Sequence, residues 1–163
     1  MYPEFYMSLF SLHRWWQSLG FGIQSKTDFA FLHDVLKERL PYYIYDELEE
    51  AFPKYGRRAH RQAQLLFRIC NHFRNKRILC IGKFNELDKR AIDHALTQQA
   101  EYTERILSKI SADIIIINDI NKENGDLWSG FIQGNNITYD MVNLGIVIHY
   151  ENRFPEHYEI QRL

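Results

Sequence analysis

The stretch Arg77-Ile-Leu-Cys-Ile-Gly82, running on into Lys83-Phe-Asn-Glu-Leu-Asp88, decides the fold. Four consecutive apolar residues closed by a glycine and followed by a helical pattern read as a buried parallel strand turning into a helix. In α/β folds that junction is where phosphate, nucleotide or cofactor sits, because backbone N–H groups and loop ends converge there. A second continuous β-branched run, Ile114-Ile-Ile-Ile117, predicts another strand buried on both faces, with Asn118-Asp119 at its carboxyl end. Two further strands are expected over Ile137–Val142 and Ile146–Tyr150. The short link at Asn143–Gly145 requires them to be antiparallel. The tail His157–Leu163 offers one more short extended piece.

Upstream, the pattern is helical. Phe5, Leu9, Leu12, Trp16 and Leu19 recur at steps of four and three, one face of an amphipathic helix. Tyr6 and Trp15 widen that face, so it is expected to dock on the body or on a partner. Gly20-Phe-Gly22 ends it. Thr27 or Asp28 can cap a second helix carrying Phe29, Leu32, Leu36 and Leu40, stopped by Pro41. A short helix is expected over Tyr45–Phe52. A longer one runs from Arg57 to about Asn75, its stripe Ala59, Ala63, Leu66, Cys70 and Phe73. After the central strand, Ala91, Ala95 and Tyr102, with Ile92, Leu96 and Ile106, predict one long helix or two in tandem ending near Ile110. Leu127, Trp128, Phe131 and Ile132 suit another short one.

The totals bound the rest. A chain of 163 residues holds one domain with a real core. Apolar residues at 45% and charged ones at 25% exclude a disordered segment. No apolar run reaches the roughly 18 residues a membrane-spanning helix needs, and the N-terminal stretch, broken by His13-Arg14, lacks a small-residue cleavage site, so a cytoplasmic protein is expected. Cys70 and Cys80, ten apart, have no metal-ligand spacing and read as buried reduced thiols. The seven histidines are scattered with no pair at ligand spacing on a clear helix face, so no metal site is expected. Between Pro53 and Arg77 stand eight Lys or Arg and no acid. That run reads first as a solvated face balanced by acids such as Glu47, Glu49 and Glu50. The alternative is a nucleic-acid surface made of Arg57, Arg58, Arg61, Arg68, Arg74, Lys76 and Arg77.

Three blocks of the chain resemble a group of class I S-adenosylmethionine-dependent methyltransferase-like proteins of Bacteroidetes. The first runs from Gly22-Ile-Gln-Ser25 through Phe29, Phe31, Val35 and Leu36 to Tyr42-Tyr43, Tyr45 and Glu47-Leu48-Glu49. The second is Gln64-Leu-Leu-Phe-Arg68, Asn71, Phe73 and Lys76 to Gly82. The third is Ile116-Ile-Asn-Asp-Ile120, Trp128, Ile137-Thr-Tyr-Asp140, Leu144-Gly-Ile-Val147 and His157-Tyr158. The resemblance implies a three-layer αβα Rossmann-like domain over residues 57–163, with residues 1–56 as a helical extension packed on it. It also marks Gly82, Lys83 and Asp119 as remnant cofactor-binding positions.

The chain departs from the family pattern where the chemistry needs it. Gln24 and Lys26 replace the family's His and Pro, Cys80 replaces its acid, and no second glycine follows Gly82. A strand-helix-strand step needs roughly 30 residues, so residues 83–113 leave room for one crossover where the family has several. The expected protein is therefore an internally shortened domain with a sheet of about four strands, the last two a hairpin. It is expected to be non-catalytic, to need no cofactor, and to associate as a homodimer or with a protein partner. Strands one and five of the family pattern should then pair directly or be covered by that partner. The alternatives are a methyltransferase with a remodelled pocket that uses S-adenosylmethionine, and the nucleic-acid module. Asp119, one carboxylate beside an amide, makes a poor dication site and reads as a cap or loop hydrogen-bonder.

Overall fold

The computed structural model describes residues 9–104, 111–150 and 152–161. Strand β1 (Ile78–Ile81) and strand β3 (Ile114–Asn118) pair in parallel, Ile78 opposite Ile114. Of the two expected arrangements, direct pairing or cover by a partner, these strands show direct pairing. Alternation then sends Ile78, Cys80, Ile114 and Ile116 into one core and Leu79, Ile81, Ile115 and Ile117 into another, which is why both runs are apolar throughout.

The sheet is mixed, with six strands where about four are expected, in the order β2-β1-β3-β5-β4-β6. One extra strand is β2 (Glu101–Thr103), parallel to β1. It corrects the expected long helix: α5 (Glu86–Ala95) stops at Ala95, and Tyr102 lies on β2. After the helix, Thr97 Oγ1 and N–H both donate to the carbonyl of Arg74, which turns the chain back to the sheet. Ile106 and Ile110 lie outside the described residues. Strands β4 (Ile137–Asp140) and β5 (Leu144–Ile148) form the expected antiparallel hairpin, each ending about two residues earlier than the sequence pattern indicates. The shift comes from a tight turn over Met141–Asn143, where Val142 takes φ +74° and donates its N–H to the Asp140 carboxylate at 2.8 Å. The sixth strand, β6 (Glu156–Glu159), is the short extended piece expected in the tail, beginning one residue before His157, and pairs in parallel with β4.

Helices cover both faces. Helix α2 (Lys26–Phe31), α3 (Tyr43–Ala51), α4 (Arg57–His72) and α5 pack on one side in a single core that joins Leu32, Ile44 and Leu48 to Leu66, Ile69, Ile92 and Ile116. Helix α6 (Gly125–Gln133) covers the other through Trp128. Gly145 lies under the Trp128 ring, where a Cβ would come within 2.6 Å of it.

Helix α2 is capped by Ser25, whose Oγ accepts from Asp28 N–H, and not by Thr27 or Asp28. The Asp28 carboxylate is buried instead against the Arg153 guanidinium and the Tyr158 hydroxyl, pinning α2 to the tail. Helix α2 continues as one wide turn over Leu32–Leu36 and ends there, short of Pro41. Arg68 donates to the carbonyls of Val35 and Leu36 that this ending leaves open.

Helix α1 (Leu9–Ser18) lies along the free edge of β6. Gln17 Oε1 accepts from Glu159 N–H at 2.6 Å, and Ser18 Oγ from Gln161 N–H at 2.7 Å. Arg14 donates to Asp140 Oδ1 at 2.9 Å and to the carbonyls of Asp140 and Ile160. The docked face is therefore the polar one, and Leu12, Trp16 and Leu19 point outward. Of the two expected positions for the apolar stripe, on the body or on a partner, it does not take the first. Phe5 and Tyr6 lie outside the described residues. Among the described residues no helix is long and apolar enough to cross a membrane.

Candidate functional site at the carboxyl ends of β1 and β3

From β1 the chain crosses to β2 on one side, then returns to place β3 on the other. Such a reversal opens a crevice at the carboxyl ends of the strands, the usual ligand position in open α/β sheets. Gly82, Lys83, Asn118 and Asp119 all stand there.

Their arrangement is a clasp. Asn118 Nδ2 donates to the carbonyl of Lys83 at 2.7 Å, and Asn124 Nδ2 donates to the carbonyl of Asn118 at 2.7 Å. Gly82 has φ +100°, and a Cβ built on it would fall 2.9 Å from Asn124 Nδ2 and 3.2 Å from the Asn118 carbonyl. Glycine is needed here because the loop after β3 packs onto it. Asp119, at φ +55°, shapes that loop through its backbone carbonyl, which accepts from the N–H groups of Lys122 and Asn124. The carboxylate of Asp119 does not cap α6, whose N-cap residue is Asn124.

The clasp separates the three predicted cofactor positions. Gly82 and Lys83 line a small depression of about 270 Å³ on the β2 side, with Phe84, Lys89 and Tyr102. Lys83 Nζ pairs with Glu123 at 3.2 Å. Asp119 lies on the α4 side, in a shallow depression with Arg58, Gln62, Asn85 and Asn143. S-adenosylmethionine needs an open glycine turn for its methionine end and an acid for its ribose hydroxyls on one continuous surface. Here the Cβ side of Gly82 is taken up by Asn118 and Asn124, and Asp119 stands across the clasp.

The seven basic residues divide likewise. Arg57, Arg58 and Arg61 line one groove of about 470 Å³ with Gln62, Met141 and Leu144. None of the three has an ion pair among the described residues. Arg68 is committed to the end of the wide turn and to Tyr45. Arg77 pairs with Asp113 and donates to Ser111. Arg74, Lys76 and Arg77 follow the far end of α4, roughly 24 Å from its start at 1.5 Å per residue. The seven do not make one surface.

Two clusters escaped the sequence reading. Asp88 is buried at the start of α5, in a capping box with Asn85 and in contact with Gln62 Nε2 at 3.3 Å. Its Oδ1 has no hydrogen-bond partner, and burial pushes its carboxyl up to about 6 against the bonds from Asn85 and Gln62. The spacing Asn85-x-x-Asp88 was the available signal. The second cluster is Asp140, His157 and Glu159, whose candidate ligand atoms lie within 4.8 Å of one another. The parallel register of β4 and β6 brings them together, setting Asp140 opposite Glu159. Arg14 already neutralises both carboxylates, at 2.9 and 3.8 Å, while His157 Nδ1 contacts Thr138 Oγ1 and burial lowers the imidazole pKa. A buried guanidinium in that position opposes a dication, so the cluster is an ion-pair knot holding α1 to the sheet. The thiols of Cys70 and Cys80 are buried in the helix-side core, which raises both well above the ordinary thiol value.

No family model, no curated protein and no solved structure matches this chain.

Proposed function

We propose that the protein is a non-catalytic, methyltransferase-like α/β domain that acts by association with other protein surface. The observation that carries this reading is the Asn118–Lys83 and Asn124–Asn118 clasp, which takes up the space beside Gly82. A glycine turn serves a cofactor by leaving backbone open to it, and here the chain's own loop uses that opening. The direct pairing of β1 with β3 agrees with a domain shortened in its middle. Calorimetric titration with S-adenosylmethionine and S-adenosylhomocysteine tests the reading. No saturable heat is expected with ligand in the hundreds of micromolar; micromolar binding by either would replace it with that of a methyltransferase with a remodelled pocket.

A second reading rests on the groove of Arg57, Arg58 and Arg61, which suits phosphate oxygens of a nucleic acid. With three cations at most, log affinity should fall with log salt at a slope no steeper than about −3. Anisotropy of labelled single-stranded RNA and DNA at low salt tests it, and absence of binding removes it.

A further inference from the structure

Helix α1 has one face that is spent and one that is not. Arg14, Gln17 and Ser18 hold its polar face on β6 and the end of β4, through the five hydrogen bonds to backbone or carboxylate already described. The helix therefore cannot roll to bury its other face. That face carries Leu12, Trp15, Trp16 and Leu19, exposed by 42, 44, 51 and 39%, and Phe21 and Phe29 beside them, exposed by 50 and 44%. The patch is continuous: Trp16 and Phe21 lie 4.5 Å apart between ring centroids, and Phe29 packs on Gly20 in the turn between them.

Together these side chains expose about 600 Å² of apolar surface, at the upper limit for a monomer and close to the roughly 800 Å² that each side of a stable interface buries.

We propose that this patch is the seam of a homodimer, in which α1 of one copy packs against α1 of a second across a two-fold axis. The proposal rests on the association reading above and names the partner. Three features select a second copy. The stripe Leu12, Trp16, Leu19 keeps the four-three spacing at which two helices mesh side chains. The six patch residues carry no charge, so like faces meet without repulsion, as a self-complementary interface requires. Adjacent tryptophans supply the large rigid anchors that concentrate binding energy. An anionic membrane surface would want a free basic rim, whereas Arg14 is buried in the ion-pair knot and the Lys37 ammonium is held by the Ser18 carbonyl at 2.9 Å.

Sedimentation of the full chain over a concentration series tests this, beside the double variant L12E/W16E and the calorimetry above. A dimer is expected for the wild-type chain, with the dissociation constant raised at least a hundredfold in the variant while its circular dichroism and melting temperature are kept. A wild-type monomer at 100 µM overturns the proposal, as does a variant that dimerises unchanged. Co-sedimentation of a monomeric wild type with phosphatidylserine vesicles would assign the patch to lipid instead and equally overturn it. Micromolar S-adenosylmethionine binding by an intact dimer would defeat the non-catalytic reading and leave the dimer standing. A non-binding monomer would do the reverse.

Discussion

The carboxyl ends of β1 and β3 and the outer face of α1 treat surface in opposite ways. At the strand ends the two amides are consumed internally: Asn118 serves Lys83, Asn124 serves Asn118, and Gly82 gives up its Cβ side to both. On α1 the polar side chains turn inward to close a sheet edge, and the apolar ones remain in water. An unpaired strand edge costs hydrogen bonds and invites aggregation, so using Gln17 and Ser18 to cap β6 has a clear physical return. Leaving two tryptophans exposed has none within one copy. The proposed function accordingly lies away from the crevice that the topology favours, on the helix that the topology does not require.

The largest expected effect breaks the α1 side. Arg14→Ala leaves Asp140 and Glu159 facing each other without their guanidinium, and removal of one partner of a buried pair costs about 3 kcal/mol. Urea denaturation should register that loss, with α1 detached from β6. On the crevice side, Gly82→Ala should cost about 2 kcal/mol, from an L-residue at φ +100° and from displacing Asn124. Chemical denaturation checks it, and retention of full stability would mean that the clasp is loose.

Beside the crevice, at the start of α5, buried Asp88 makes stability depend on pH. Its carboxyl has a folded value raised to about 6, above its ordinary 3.8, so the native state binds the proton more tightly than the unfolded chain. Above pH 6 the buried charge costs stability, and the cost is relieved as pH falls from about 6 towards 4. Asp88→Asn, which still accepts from Asn85 N–H, should be more stable than the parent at pH 7.5 by about 2 kcal/mol, and equal to it near pH 4. Melting curves of both chains across that range give the difference directly. Smaller still, Val142→Gly should add about 1 kcal/mol, since Val142 holds φ +74° with its side chain partly in water.

Much of the scaffold is legible in the residues. The runs 78–81 and 114–117 leave no alternative to buried strands, and Asn143–Gly145 is too short for anything but a hairpin. Strand β2 is not legible: Glu101-Tyr-Thr103 is three residues long, half polar, and spaced from Ala91 and Ala95 as a helix would be. What makes it a strand is the neighbouring edge of β1. The face on which α1 docks is hidden for a different reason. Spacing reveals which side of a helix is apolar, but hydrogen bonds to a strand edge come from the other side and depend on where β6 lies. Arg68 shows the same limit, since a basic residue in a basic run gives no sign that it will serve the carbonyls of Val35 and Leu36. The positions of Gly82, Lys83 and Asp119 at one sheet edge follow from the strand pattern. Their separation by Asn118 does not, because it depends on the left-handed backbone of Asp119.

The Asn118–Lys83 and Asn124–Asn118 bonds close the crevice from within the chain. Amide NMR titration with S-adenosylhomocysteine reads this at the residues concerned. The signals of Gly82–Asn85 and Asn118–Asn124 are expected to stay in place up to millimolar ligand; saturable shifts confined to those two loops would mean that the crevice is open.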